Sequence, residues 1–79
     1  MKIPRSISGV TLAKKLEKLG YTTTRQSGSH LRLTTQISGE HHITIPKHDP
    51  LKVGTLSTIL NAIAGHFLKT KEEIVRDLF

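Results

Sequence analysis

His30, His41, His42, His48 and His66 are the side chains in this 79-residue sequence best suited to proton transfer or metal ligation. His41 and His42 are adjacent on an expected strand and so point to opposite faces. His48 and Asp49 lack a partner at ligand spacing, so no metal site is expected. His66, near the end of an expected helix, reads as a polar residue beside that helix's C-terminus. The acids are poorly placed for paired-carboxylate catalysis. Glu72, Glu73 and Asp77 fall in the final helix and Glu17 among lysines of the first, leaving only Glu40 and Asp49 in loops near the sheet edge. The absence of cysteine excludes a thiol nucleophile, a disulfide framework and a thiolate zinc site. The glycines never approach the spacing of a dinucleotide or P-loop fingerprint, so no cofactor is expected. What is left is one constellation: Arg25-Gln26-Ser27-Gly28-Ser29-His30, then Ile45-Pro46-Lys47-His48, then Gly54-Thr55-Leu56.

The elements that carry these residues follow from periodicity. Ser8 offers an N-cap for a helix running to Leu19, with Val10, Leu12, Ala13, Leu16 and Leu19 near one stripe and Lys14, Lys15 and Lys18 off it. Gly20 is the expected left-handed stop. The β-branched run Thr22, Thr23, Thr24 shifts the preference to a strand over 21–26, and Ser27 and Gly28 form a tight link. In the second strand Leu31 and Leu33 face one way, and His30, Arg32 and Thr34 the other. A turn over 36–40 leads to a third strand, His41 to Pro46, with Ile43 and Ile45 inward and His42 and Thr44 outward. A loop follows, and a second helix starts near Gly54. Its stripe is Leu56, Ile59, Leu60, Ile63 and Phe67, and Gly65 is expected to break or end it. Thr70 and Glu73 form a capping-box pair that opens a last, short helix.

Short links make the strands an antiparallel meander, and both apolar stripes must be buried on one of its faces. The expected fold is therefore α+β, an α-β-β-β-α two-layer sandwich with a three-stranded antiparallel sheet and a short C-terminal helix. One domain over residues 1–79 is the expectation, because folding a chain this short buries only about 60% of its unfolded surface. Its core is Leu12, Leu16, Leu19, Leu31, Leu33, Ile43, Ile45, Leu56, Ile59, Leu60 and Ile63.

The net charge of +6 is unevenly placed. Lys2, Arg5, Lys14, Lys15, Lys18, Arg25 and Arg32 precede Leu33 with only Glu17 against them, while the rest of the chain is neutral. Two readings fit: a solvated basic helix that keeps a small protein soluble, or a surface that meets polyanions and gains from counterion release. The longest stretch free of charged residues, Val53 to Leu68, contains too many polar residues for a bilayer span, and no secretory signal follows Lys2 and Arg5. A cytoplasmic location without membrane contact is expected.

The constellation resembles the HicA-type toxin family of toxin–antitoxin systems, small ribonucleases that cleave messenger RNA. The carriers are Gly20-Tyr21, Arg25-Gln26 with Gly28-Ser29-His30, Pro46 with His48, and Gly54-Thr55-Leu56 with Ile59-Leu60. The likeness runs from about Ser8 to Leu78. Thr34 to His42 has a loop sequence of its own, and Ile63-Ala64-Gly65-His66 stands where a shorter polar link is expected. The resemblance implies a double-stranded-RNA-binding-domain-like fold, a HicB-type antitoxin partner, a single-stranded or messenger RNA substrate, and His30 as the catalytic residue. Metal-free cleavage then needs a base for the 2′-hydroxyl proton, a role for His30. It also needs cations around the phosphorane, with Arg25, Arg32 and Lys47 as candidates. The N–H groups of Gly54 and Thr55 suit a phosphate. His48 is either the general acid or a phosphate contact, and Ser29 either orients His30 or completes the hairpin turn. Lys14, Lys15 and Lys18 would extend the RNA track. Two other readings compete: a non-catalytic RNA-binding module of the same fold, and a protein whose basic helix docks on an acidic partner.

Overall fold

The computed structural model describes residues 3–4 and 6–79; Lys2 and Arg5, two of the cations in the basic N-terminal stretch, lie outside the described residues. Ser8 caps the first helix, α1 (Gly9–Lys15), by accepting the Thr11 N–H at 3.1 Å. Over Leu16–Leu19 the expected α-helix tightens into a 3₁₀ turn. The far end of that turn is pinned to the sheet, because the Thr35 hydroxyl donates to the Leu19 carbonyl at 2.9 Å. Gly20 then reverses the chain at φ +82°, and a Cβ there would lie 2.8 Å from Thr35 Oγ1. Both the backbone conformation and the space demand glycine.

Three strands follow: β1 (Thr22–Ser27), β2 (His30–Thr35) and β3 (His41–Pro46), in the order β1-β2-β3 and antiparallel throughout. The β1–β2 link lies one residue later than the sequence suggests, at Gly28 and Ser29, with Ser27 paired to His30. Gly28 supplies the positive φ, +56°, that a two-residue hairpin link of this kind requires. The β1–β2 register shifts between Thr23 and Arg25, where Thr24 forms a bulge.

The second helix, α2 (Val53–Phe67), and the third, α3 (Lys71–Leu78), complete the chain. Gly65 neither breaks nor ends α2. The stop falls three residues later at Leu68, which adopts the left-handed conformation at φ +55° while the Lys69 N–H donates to the Ala64 carbonyl. Thr70 and Glu73 form the expected reciprocal capping box on α3.

The helices cover one face of the sheet, burying Leu31, Leu33, Ile43 and Ile45 against Leu12, Leu16, Leu56, Ile59, Leu60 and Ile63. Leu19 is only partly buried, and Val10 is 46% exposed, since α1 is too short to carry the whole expected stripe. Tyr21, Leu51, Ile74, Val75 and Leu78 join the core. The opposite face of the sheet is polar and open, as the exposure of Arg25, His30, Arg32, His42 and Thr44 shows. This is the double-stranded-RNA-binding-domain-like α-β-β-β-α order with its short C-terminal helix. No helix among the described residues is long and apolar enough to cross a membrane.

Candidate active site

The strand alternation that buries Leu31 and Leu33 forces His30 and Arg32 onto the open face. Pairing then decides what joins them. Ser27 opposes His30, Arg25 opposes Arg32, and Thr44 opposes Arg32 from the other side. Arg25, Ser27, His30, Arg32 and Thr44 line one shallow cleft of about 200 Å³. The bulge at Thr24 brings this about, because without the extra residue Arg25 would fall on the helix-covered face.

The electrostatics of the cleft are lopsided. Like charges directly opposite one another on a sheet repel. Among the described residues the ion pairs are His42 with Glu40 and Lys69 with Asp77, so neither arginine has a carboxylate within salt-bridge distance. Two uncompensated guanidiniums beside an exposed imidazole make a site for an anion, with five N–H donors on each arginine to hold it.

The other candidate residues sit around this cleft rather than in it. Ser29 occupies the hairpin link, where its carbonyl accepts the Lys47 N–H at 2.7 Å and ties the hairpin tip to the end of β3. No hydrogen bond joins the Ser29 side chain to His30 among the described residues. His48 is exposed in the loop after β3, and its carbonyl accepts the Gly9 N–H at 2.9 Å. Lys14 and Lys47 line a different groove of about 450 Å³, between α1 and β1 on the helix-bearing side, together with Val10, Ala13 and Leu31. Lys15 lies over the Phe79 ring, 5.5 Å from its centroid, and Lys18 is exposed. Lys14, Lys15 and Lys18, in α1 and the 3₁₀ turn after it, therefore stand on the helix layer, behind the sheet face that carries His30. Gly54 and Thr55 are in the first turn of α2, whose N-cap residue Lys52 makes no side-chain hydrogen bond to it.

Two polar clusters escaped sequence reasoning. On the open face, the Thr34 hydroxyl meets His42 Nδ1 at 2.7 Å, His42 Nε2 meets Glu40 at 3.0 Å, and Gln36 donates to the same carboxylate at 3.2 Å. Under the sheet, the Tyr21 hydroxyl contacts His41 Nδ1 at 2.7 Å, and the His41 ring stacks on His66 with centroids 4.4 Å apart. His66 Nε2 donates to the Ile37 carbonyl at 2.9 Å. Burial pushes the Tyr21 phenol up to about 12. Desolvation, then the His66 and His42 charges, hold His41 below the ordinary imidazole range. The alternation that sends His41 and His42 to opposite faces was readable, but their partners were not. Among the described residues, no three His, Asp or Glu side chains converge as a metal-holding group.

The molecule is thus a small α+β domain with a histidine and two unpaired arginines on the bare face of its sheet. Residues 10–64 match the family model described as HicA toxin of bacterial toxin-antitoxin. The chain belongs to that family, and so is the toxin of a toxin–antitoxin system with an antitoxin as its partner. No curated protein and no solved structure matches it.

Proposed function

We propose that this toxin is an endoribonuclease that cleaves messenger RNA without a metal ion, with His30 as its catalytic residue. The observation that carries this reading is the His30 imidazole sharing one open cleft with Arg25 and Arg32, neither of which has an acidic partner. Imidazole is the side chain that exchanges protons near neutral pH. His30 takes the proton of a ribose 2′-hydroxyl, and the oxygen attacks the adjacent phosphorus. The bond to the 5′-oxygen breaks, leaving a 2′,3′-cyclic phosphate on one fragment and a 5′-hydroxyl on the other. Arg25 and Arg32 neutralise the charge that gathers on the phosphorane oxygens.

The departing 5′-oxygen needs a proton, and His48, in the loop beyond β3, is the candidate donor; its other role is as a phosphate contact. Ser29 acts through the hairpin tip. Lys14, Lys15, Lys18 and Lys47, with the N–H groups of Gly54 and Thr55, hold flanking phosphates of a single strand. The antitoxin in this reading is of the HicB type, and the site of action is the cytoplasm.

A substrate with one 2′-deoxynucleotide at the cut position tests the chemistry. The deoxy substrate should stay intact there while its all-ribo counterpart yields cyclic-phosphate ends; cleavage of the deoxy linkage would refute the 2′-hydroxyl route. His48→Ala that binds RNA normally but has lost most of its cleavage assigns the acid role. Loss of binding assigns the phosphate contact instead. RNA that is bound but never cut by the wild-type protein would make the chain a binding module.

A further inference from the structure

Glu40 is the single acid in the segment Gln36–Pro46, and its contact with His42 sets it at the turn end of the open face that also carries His30, Arg25 and Arg32. A surface built only to hold phosphates gains nothing from a carboxylate there. This one is nonetheless fixed from two sides, by Gln36 Nε2 on Oε1 at 3.2 Å and by His42 Nε2 on Oε2 at 3.0 Å. Because the carboxylate only accepts, His42 donates to it from Nε2, while Nδ1 lies 2.7 Å from the Thr34 hydroxyl. The Thr24 hydroxyl in turn lies 3.1 Å from that of Thr34, so the anchoring runs across all three strands. The hydrogen bonds from Gln36 and His42, with help from the His42 and Arg32 charges, hold the Glu40 carboxyl below its usual range, so it is ionised at neutral pH. Its side chain is still 60% exposed, and each oxygen keeps a lone pair for an outside donor.

We infer that Glu40, positioned by His42 and Gln36, reads a guanine base in the RNA beside the nucleotide being cut. This rests on the RNA reading of the His30 cleft and adds a base-specific subsite to it. Guanine alone among the RNA bases presents two adjacent donors, N1–H and the N2 amine, which match the two oxygens of a carboxylate. Adenine and cytosine place a ring acceptor beside their single amine, and uracil flanks its one N–H with two carbonyls, so each meets the carboxylate with a repulsive lone pair. Single-stranded RNA is read by such contacts to splayed-out bases. The geometry suits a neighbouring nucleotide. Thr34, the cross-strand partner of His42, lies four residues along β2 from His30, or about 13 Å.

The test separates base reading from cleavage. His30→Ala, in which cutting is slowed enough for binding to be measured, is titrated with a short oligouridine carrying one guanosine, and with the same oligomer carrying inosine or adenosine instead. The guanosine oligomer should bind about tenfold more tightly or better. Adding Glu40→Gln should erase that preference while leaving the affinity for the adenosine oligomer and the thermal midpoint nearly unchanged, since the amide oxygen still accepts from His42 and its NH2 can donate to Gln36 once that side-chain amide turns over. Equal affinities in the parent, or a guanine preference that survives Glu40→Gln, would overturn the inference. Guanine preference in a wild-type protein that never cuts would sink the nuclease reading and leave this one standing.

Discussion

Arg25 and Arg32 face each other across the β1–β2 ladder on the open side of the sheet, and among the described residues no carboxylate lies in salt-bridge range of either. The pair works against the fold, since directly opposed like charges destabilise a sheet by up to about 1 kcal/mol. In the proposed reading, their placement beside His30 serves the RNA phosphate they would hold. Replacing either with Gln should leave stability unchanged or raise it by a few tenths of a kcal/mol (~0.2–1). Binding to single-stranded RNA should weaken at the same time. The log–log salt slope should fall by about 0.7 for each phosphate that is no longer neutralised, read by anisotropy across a salt series.

The cluster beneath the sheet predicts a pH dependence of stability. His41 is held below its ordinary range, first by desolvation and then by the His66 and His42 charges. As pH falls below about 6.5 the unfolded chain takes up the His41 proton before the folded chain does, so stability drops through that window and levels off below the folded value. Thermal unfolding between pH 8 and 5 checks this (about 6.5 being the ordinary imidazole value), and His41→Gln should flatten the response.

Leu68 holds the left-handed position that ends α2, at φ +55° with its side chain 94% exposed. Such a conformation costs an L-residue about 1–2 kcal/mol, and the Leu68 side chain has little packing to offset it. Leu68→Gly should relieve part of that strain and raise stability by about 1 kcal/mol in a urea titration, with cleavage unaltered.

Gly9 opens α1 where a Cβ would lie 2.0 Å from the Pro46 carbonyl oxygen, and its N–H holds the His48 carbonyl. The obstacle is backbone at the end of β3, so it cannot rotate away. Gly9→Ala should cost about 1–3 kcal/mol of stability. It should also reduce activity by displacing the loop that carries Lys47 and His48, measurable as a lower thermal midpoint together with slower cleavage.

Much of this arrangement was legible because it depends on local rules. Alternation put Leu31 inward and His30 outward, and the Thr70–Glu73 pair marked the start of α3. Gly65 misled because glycine is compatible with a helix interior at modest cost; the stop depended on what Leu68 and Lys69 do together. The bulge at Thr24, which turns Arg25 onto the His30 face, leaves no mark in a run of three threonines. Tyr21, His41 and His66 meet only after β3 and α2 fold over one another, and the Gln36–Glu40–His42 chain depends on a turn whose geometry is not written in its residues. The amphipathic spacing of Ile74, Val75 and Leu78 was available in the sequence and marks them as core.

The most direct test of the central claim is the cleavage rate of single-stranded RNA in excess EDTA, measured for the wild-type chain and for His30→Ala with unchanged circular dichroism. The wild type should cut, and the variant should be slower by about 10²–10⁴-fold, the usual contribution of a positioned acid–base group. Equal rates in the two proteins would contradict the account, and a wild type silenced by EDTA would show that a metal ion takes part in the chemistry here assigned to His30 and the two arginines.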